Sequence, residues 1–330
     1  MTDSLNPSQT GSPAPDEPSL SPGEASDIAR SLVENVQTVI VGKQTAVEHI
    51  VTAVLARGHL LLEDVPGVGK TMLARTVARS VDGEFSRVQF TPDLLPADVT
   101  GTHVFNEKTR EFDFQPGPIF GNVVLADEIN RAPPKTQAAL LEAMEEEQVT
   151  IDGTTRSLPD PFTVIATQNA VERDRTYELP VAEIDRFMKK LNLGYPNPDQ
   201  EVEVIDRAVG HHPIDDVKAV TTVDELQQAR ATTAAATVAE PIRRYVTRLA
   251  GYTREHASLG VSPRGSISLV RAAQGRATLD GRDYVTPDDV KTEARPVLAH
   301  RVRADPGGAV GGEGGRDIVE QALSRVDPEA

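Results

Sequence analysis

Residues 64–71 read Asp-Val-Pro-Gly-Val-Gly-Lys-Thr, between the apolar run Leu60-Leu61-Leu62 and a helical stretch from Met72 to Ser80. A strand, a glycine-rich turn and a helix opening at Lys-Thr form a cradle for a polyphosphate. The turn's backbone N–H groups face the anion, Lys70 neutralises it, and the Thr71 hydroxyl can ligate Mg²⁺. The nucleotide-binding stretch is therefore Asp64, Pro66, Gly67, Val68, Gly69, Lys70 and Thr71. It departs from the pattern G-x-x-x-x-G-K-[ST] at its first position, where Asp64 stands. A plain helix N-cap is the competing reading of the turn by itself.

A nucleotide site needs a second part, a buried strand ending in acid. Asn122-Val123-Val124-Leu125-Ala126 is a continuous apolar run, as expected of a strand covered on both faces, and Asp127-Glu128 follows it. The Asp127 carboxylate is placed to hold Mg²⁺ through water, and Glu128 to take a proton from an attacking water. Two solvated acids at a strand end are the bland alternative, which the preceding phosphate turn disfavours. A third apolar strand, Thr163-Val164-Ile165-Ala166-Thr167, ends in the amides Gln168-Asn169, one of which could position the attacking water. Two arginines further on, in Asp185-Arg186-Phe187 and Ser262-Pro263-Arg264, could stabilise charge on a transferring phosphoryl group.

The elements that must hold these residues alternate. Strand-like runs at Leu60–Glu63, Phe85–Phe90, Asn122–Ala126 and Phe162–Thr167 are interleaved with helical segments after Lys70 and over Thr136–Glu147. Alternation of this kind predicts a parallel sheet with crossover helices. Two segments interrupt it: residues 91–120, with a hairpin-like pair Thr102–Asn106 and Glu111–Gln115, and residues 148–158, turning at Asp152-Gly153. Beyond Pro196-Asn197-Pro198 only helical periodicity remains, at about 199–210, 223–236, 240–257, 264–280 and 287–303. The expected organisation is a disordered tail over 1–25, an α/β core over 26–198, a smaller all-α domain over 199–304, and a Gly-rich linker with a short helix over 305–330.

Bulk composition narrows the function. The 330 residues carry a formal net charge of −16 and no block of Lys and Arg, which argues against non-specific nucleic-acid binding. With no cysteine there is no disulfide, thiolate chemistry or Cys-ligated zinc. No long apolar run and no apolar signal core occur, so a cytoplasmic protein without membrane insertion is expected.

Several stretches together resemble the MoxR-type AAA+ ATPases. They are Val65–Thr71, Gln89-Phe90-Thr91-Pro92-Asp93-Leu94-Leu95-Pro96, Gly117-Pro118-Ile119-Phe120, Leu125–Lys135 through Leu141–Glu146, Ala166–Asn169, Ser262–Arg264 and Gly281–Pro287. The resemblance covers about residues 26–303 and implies a P-loop AAA+ parallel β-sheet core with a helical lid. In it Asp64 is ordinary. Lys70 and Thr71 resemble the Walker A pair, Asp127 and Glu128 the Walker B pair, Asn169 sensor 1, and Arg264 a sensor 2 arginine reaching from the lid. Arg186 resembles the finger supplied to a neighbour, with Arg131 a weaker interface candidate, and Val41 and Gly42 resemble part of an adenine pocket. Ala170 stands where the family has Pro, and Arg173 and Arg175 in the next loop are further finger candidates.

The resemblance implies ATP and Mg²⁺ as ligands, a homo-oligomeric ring of hexameric size, and a protein client remodelled or activated by hydrolysis. It also implies a von Willebrand factor A domain protein as partner. A nucleotide-gated scaffold with little turnover is the alternative, and a DNA-acting motor or a small-molecule kinase fits less well. Bland readings accompany single residues. Arg186 could pair with Asp185, Arg264 could be a solvated surface residue, Glu145-Glu146-Glu147 reads as a solvated helix end, and His211-His212 as a loop pair. Phe112 and Phe114 could pack or stand exposed.

Overall fold

A computed structural model describes residues 19–65, 67–169, 177, 179–209, 213–304 and 314–329. Pro66, Arg173, Arg175, His211 and His212 lie outside them, as does most of the expected tail. The first helix, α1 (Pro22–Gln37), begins earlier than the periodicity alone predicts. Ser21 caps it by accepting from the Glu24 amide, and the Glu24 carboxylate accepts from the Ser21 amide. With Pro22 at the first helical position, this reciprocal cap starts the helix inside the expected tail.

Helix α2 (Gln44–Leu55) leads into β1 (Leu60–Asp64), the phosphate turn and α3 (Lys70–Ser80). Then come β2 (Phe85–Gln89), the short α4 (Pro96–Thr100), and the hairpin β3 (Gly101–Asn106) and β4 (Glu111–Pro116). Strand β5 (Val123–Asp127), α5 (Pro134–Glu146), the hairpin β6 (Gln148–Ile151) and β7 (Thr154–Ser157), and β8 (Thr163–Asn169) follow. A turn, α6 (Val181–Ile184), precedes β9 (Lys189–Leu191).

The five core strands form one parallel sheet in the order β2-β5-β8-β1-β9. Register places Gln89 beside Asp127 and Asp64 beside Asn169, so the polar strand ends share one edge. Strand side chains alternate between two apolar layers, which is why these runs are apolar throughout. Leu60, Leu62, Leu125 and Ile165 pack with α1, α2 and α3, whereas Leu61, Val124, Ala126 and Val164 pack with α4 and α5.

The helical part comprises α7 (Pro198–Ala208), α8 (Val223–Ala235), α9 (Glu240–His256), α10 (Pro263–Leu279), α11 (Pro287–Leu298) and α12 (Gly314–Arg325). It does not close a core of its own. Leu226, Tyr245, Leu249, Leu269 and Val290 belong to the same apolar cluster as α1, α2 and one sheet face. Helix α1 joins the two parts, and the buried Ser26 hydroxyl donates to the Leu279 carbonyl at 2.9 Å.

The two insertions touch. His103 lies 2.8 Å from Asp152, and the Arg156 guanidinium sits 4.0 Å above the Phe114 ring. Phe114 packs edge-on against Phe120, while Phe112 is 68% exposed and pairs with Phe105 across the hairpin.

Candidate functional site

Gly67 and Gly69 have φ of 86° and 92°, left-handed values that L side chains rarely adopt, and among the described residues a Cβ on either would meet nothing within 4 Å. The turn therefore curls over open space. Helix α3 starts at Lys70 without a side-chain cap, which leaves its first N–H groups for a ligand. The Lys70 ammonium donates to the Asp64 carbonyl at 3.1 Å.

Asp64 does something other than the expected ligand contact. Its carboxylate is buried and accepts from the amides of Val65 at 3.0 Å, Leu193 at 2.5 Å and Gly194 at 2.8 Å. A carboxylate facing phosphate would repel it. Turned inward, it pins the start of the turn to the chain leaving β9.

The acidic strand end is fully engaged. The Thr167 hydroxyl donates to Asp127 Oδ1 at 2.6 Å and accepts from the Glu128 amide at 2.9 Å. Asp127 Oδ2 receives Arg87 at 2.7 Å. Glu128 has φ 56° and ψ 48°, the left-handed region, at a cost of about 1–2 kcal/mol for a side-chain residue. That turn sends its carboxylate toward β2, where Oε2 accepts from Gln89 and from Arg131, each at 2.7 Å. Arg131, a candidate interface arginine, thus binds an acid of its own chain. Arg87, Gln89 and Thr167 were missed as site residues. The signal was the alternation of Arg87 and Gln89 on a strand in register with the acidic one. Asn169 ends β8 beside Asp64, buried at the same edge.

These donors suit a hard divalent cation. The carboxylate of Asp127 already carries a cationic partner, and the Thr71 oxygen stands at the helix start. No cluster of three or more His, Cys, Asp or Glu able to hold a metal by itself occurs among the described residues.

Beside the turn lies a cavity of ≈ 270 Å³ lined by Val39, Ile40, Val41, Val68, Met72 and Val204, apolar enough for a base. Gly42, with φ 67°, turns the chain next to it, and a Cβ there would run into Gln200 of α7. The Gln200 amide donates to the Gly42 carbonyl at 3.3 Å, and Arg207 of the same helix donates to the Gln37 and Thr38 carbonyls.

Arg186 and Arg264 stand elsewhere. Arg186 precedes β9, and the Met188 amide donates to the His59 carbonyl just before β1. It therefore lies at the opposite edge of the sheet from Lys70, separated by the length of β1, roughly 16 Å at about 3.3 Å per residue. Its guanidinium donates to the Leu141 carbonyl at 3.1 Å and to Glu145. Arg264 reaches the other oxygen of the same carboxylate. Arg264, read from the sequence as a sensor 2 arginine reaching from the lid, thus stands away from Lys70 within one chain, and the reading of Glu145 as a solvated helix end is corrected: α5 runs back to the far edge and ends beside both arginines. They line a cavity of ≈ 580 Å³ together with Arg57, Arg230 and Arg271. Glu183, a turn before Arg186, has its pKa raised by burial, which outweighs the nearby guanidinium.

A phosphate turn opening a helix, an acid-ended neighbouring strand, a polar third strand and a helical lid define an ATPase of the AAA type. The chain matches the model of the ATPase family associated with various cellular activities over residues 59–189 and the AAA lid domain over residues 249–322. It is 49% identical to protein YeaC of Bacillus subtilis, covering 89% of this chain and 92% of that one. It is 42% identical to chaperone MoxR1 of Mycobacterium tuberculosis (84% and 76%) and 33% identical to protein MoxR of Methylorubrum extorquens (87% and 92%). A solved structure from Cytophaga hutchinsonii superposes with a TM-score of 0.85 at 37% identity, covering 92% of this chain and 95% of that one. The chain belongs to the MoxR family of AAA+ ATPases, enzymes that hydrolyse ATP.

Proposed function

We propose that this protein hydrolyses ATP at the contacts between subunits of a homo-oligomeric ring, hexameric as in related ATPases, and uses the cycle to remodel or activate a protein partner in the cytoplasm. A von Willebrand factor A domain protein is the partner favoured by kinship, and insertion of a metal cofactor into a client is one form the activation could take. The observation carrying the ring reading is the position of Arg186 and Arg264. They share one carboxylate at the far edge of the sheet, away from Lys70. Cations so placed serve a phosphate only when another subunit brings it.

In this reading Lys70 and the amides of the turn bind the triphosphate, and the apolar cavity at Val41 takes the base. Thr71 and Asp127 would hold Mg²⁺, which when bound neutralises charge on the β- and γ-phosphate oxygens. Arg87 must then leave Asp127. Glu128 accepts a proton from the attacking water, which Asn169 helps place, once Gln89 and Arg131 release its carboxylate. The neighbour's arginines stabilise the loose transition state.

Those same holds on Glu128 favour a second reading, a nucleotide-gated scaffold that turns over little without its partner. Hydrolysis stimulated by a partner would favour the first. The test of the ring reading is mixing. Arg186→Ala should bind ATP within a few-fold of the parent and lose turnover by roughly 10³. Subunits carrying Lys70→Ala, unable to bind nucleotide but with intact arginines, should restore it. Failure of every mixing ratio to restore turnover would remove the arginine from action between subunits.

A further inference from the structure

The two arginines that share the Glu145 carboxylate come from segments far apart in sequence, so something must hold them relative to each other. Arg186 sits on the turn between α6 and β9, Arg264 in the first turn of α10. One buried guanidinium, Arg301, touches the frame of both. It closes the 3₁₀ turn Ala299–Arg301 after α11 and is 3% exposed. Its Nε donates to Asp185 Oδ1 at 2.6 Å. Its Nη2 donates to the carbonyls of Asp185 and Phe187, each at 2.8 Å, and its Nη1 to those of Met188, at 3.2 Å, and Val297. The backbone on either side of Arg186 is thus fastened to the lid.

The second carboxylate oxygen of Asp185 completes the connection. It accepts from the Ser262 hydroxyl at 3.0 Å, and Ser262 is the N-cap of α10, accepting from the Gly265 amide. Gly265 makes room for the arrangement, since a Cβ there would stand 2.8 Å from Arg301 Cδ. The line Arg301–Asp185–Ser262 therefore runs beneath both arginines, whose side chains emerge together at Glu145.

We propose that Arg301 is a positioning residue that fixes Arg186 and Arg264 as one two-armed unit presented to the neighbouring subunit's ATP. This rests on the ring reading above. Arg301 cannot itself serve the phosphate, because the donors of its guanidinium are directed at protein acceptors. Its contribution is geometric: catalytic groups must be held within about 0.5 Å of the productive arrangement, and a misplacement of ~1 Å can cost on the order of 10² in rate.

The test uses the full chain with Arg301→Lys, which keeps the charge but not the fork, and Gly265→Ala, which keeps Arg301 but presses on its Cδ. The second carries the same reading should the first fold poorly by circular dichroism. Both are expected to bind a fluorescent ATP analogue with parental affinity and to lose turnover by about 10–100-fold. Mixing with Lys70→Ala subunits should return that turnover, as it does for Arg186→Ala, because the damaged arginine edge is then bypassed. Unchanged turnover in both variants overturns the proposal. So does a loss that mixing leaves in place while Arg186→Ala is rescued, since that marks a purely structural role. If Arg186→Ala itself stays unrescued, the ring reading has failed and the proposal falls with it.

Discussion

At the scale of single residues, what a side chain is spent on depends on which way it turns. Asp64 opens the phosphate turn in sequence, yet its carboxylate accepts the amides of Val65, Leu193 and Gly194. Hydrogen bonds to a charged acceptor contribute about 1.5–3 kcal/mol each, and not additively. Asp64→Ala is expected to lower unfolding stability by roughly 3 kcal/mol and to weaken ATP binding by loosening the turn. Denaturant unfolding with and without ATP measures both, and parental stability would show the inward carboxylate to be idle. Glu145 makes the same point from the other direction. Its sequence neighbourhood reads as a solvated helix end, and only the reversal of α5 brings it to Arg186 and Arg264.

At the scale of elements, strand β9 has the weakest signature in the sequence. It is three residues long and begins Lys189-Lys190, a residue type that is mostly exposed in folded proteins. Lys189 is instead fully buried, with its ammonium 2.7 Å from Glu293 of α11 and 2.5 Å from the Thr52 hydroxyl of α2. Arg276 of α10 and His49 of α2 complete the cluster around Glu293 at 3.2 and 3.1 Å. Burial raises the Glu293 pKa, but Lys189, His49 and Arg276 more than offset it and hold it at about 2. A carboxylate depressed in the folded state stabilises above its unfolded pKa, near 4.5, and that stabilisation fades as pH falls toward about 2. Melting temperature should therefore drop across this window, and Glu293→Gln should flatten the drop. The same substitution strands a buried lysine and should cost about 3–5 kcal/mol at neutral pH. An unchanged acid profile in Glu293→Gln would place the acid sensitivity elsewhere. The long, periodic elements were legible because their patterns are strong: α8 to α10 and both hairpins lie within a residue of expectation, whereas α11, expected to 303, ends at Leu298 and passes into the 3₁₀ turn Ala299–Arg301.

At the scale of the whole molecule, the helical lid and the α/β core are one packed body. Helices α1 and α2 sit between them, and a single apolar cluster runs from Leu60 and Leu62 through Ile50 and Val54 to Leu269 and Val290. Cooperativity follows the core rather than the chain's division into a strand-containing and a helical half. Calorimetry of the nucleotide-free protein should give one transition, and residues 199–304 expressed alone should fail to melt cooperatively. Two well-separated transitions would contradict the shared core. Among the described residues no helix is long and apolar enough to cross a membrane.

The chain's own order of residues determined the chemistry and the class. A glycine turn before Lys70-Thr71, an apolar strand ending in Asp127-Glu128 and a strand ending in Asn169 are local patterns, and local backbone physics suffices to read them. What only the folded chain decided is the direction of the rest. Asp64 faces inward, Arg87 and Gln89 engage the two acids, and Arg186 and Arg264 meet at Glu145 on the edge away from the phosphate turn. Contacts between residues from 39 positions apart, as Gln89 and Glu128, to 119 apart, as Glu145 and Arg264, depend on strand order and helix direction, which spacing along the sequence does not carry.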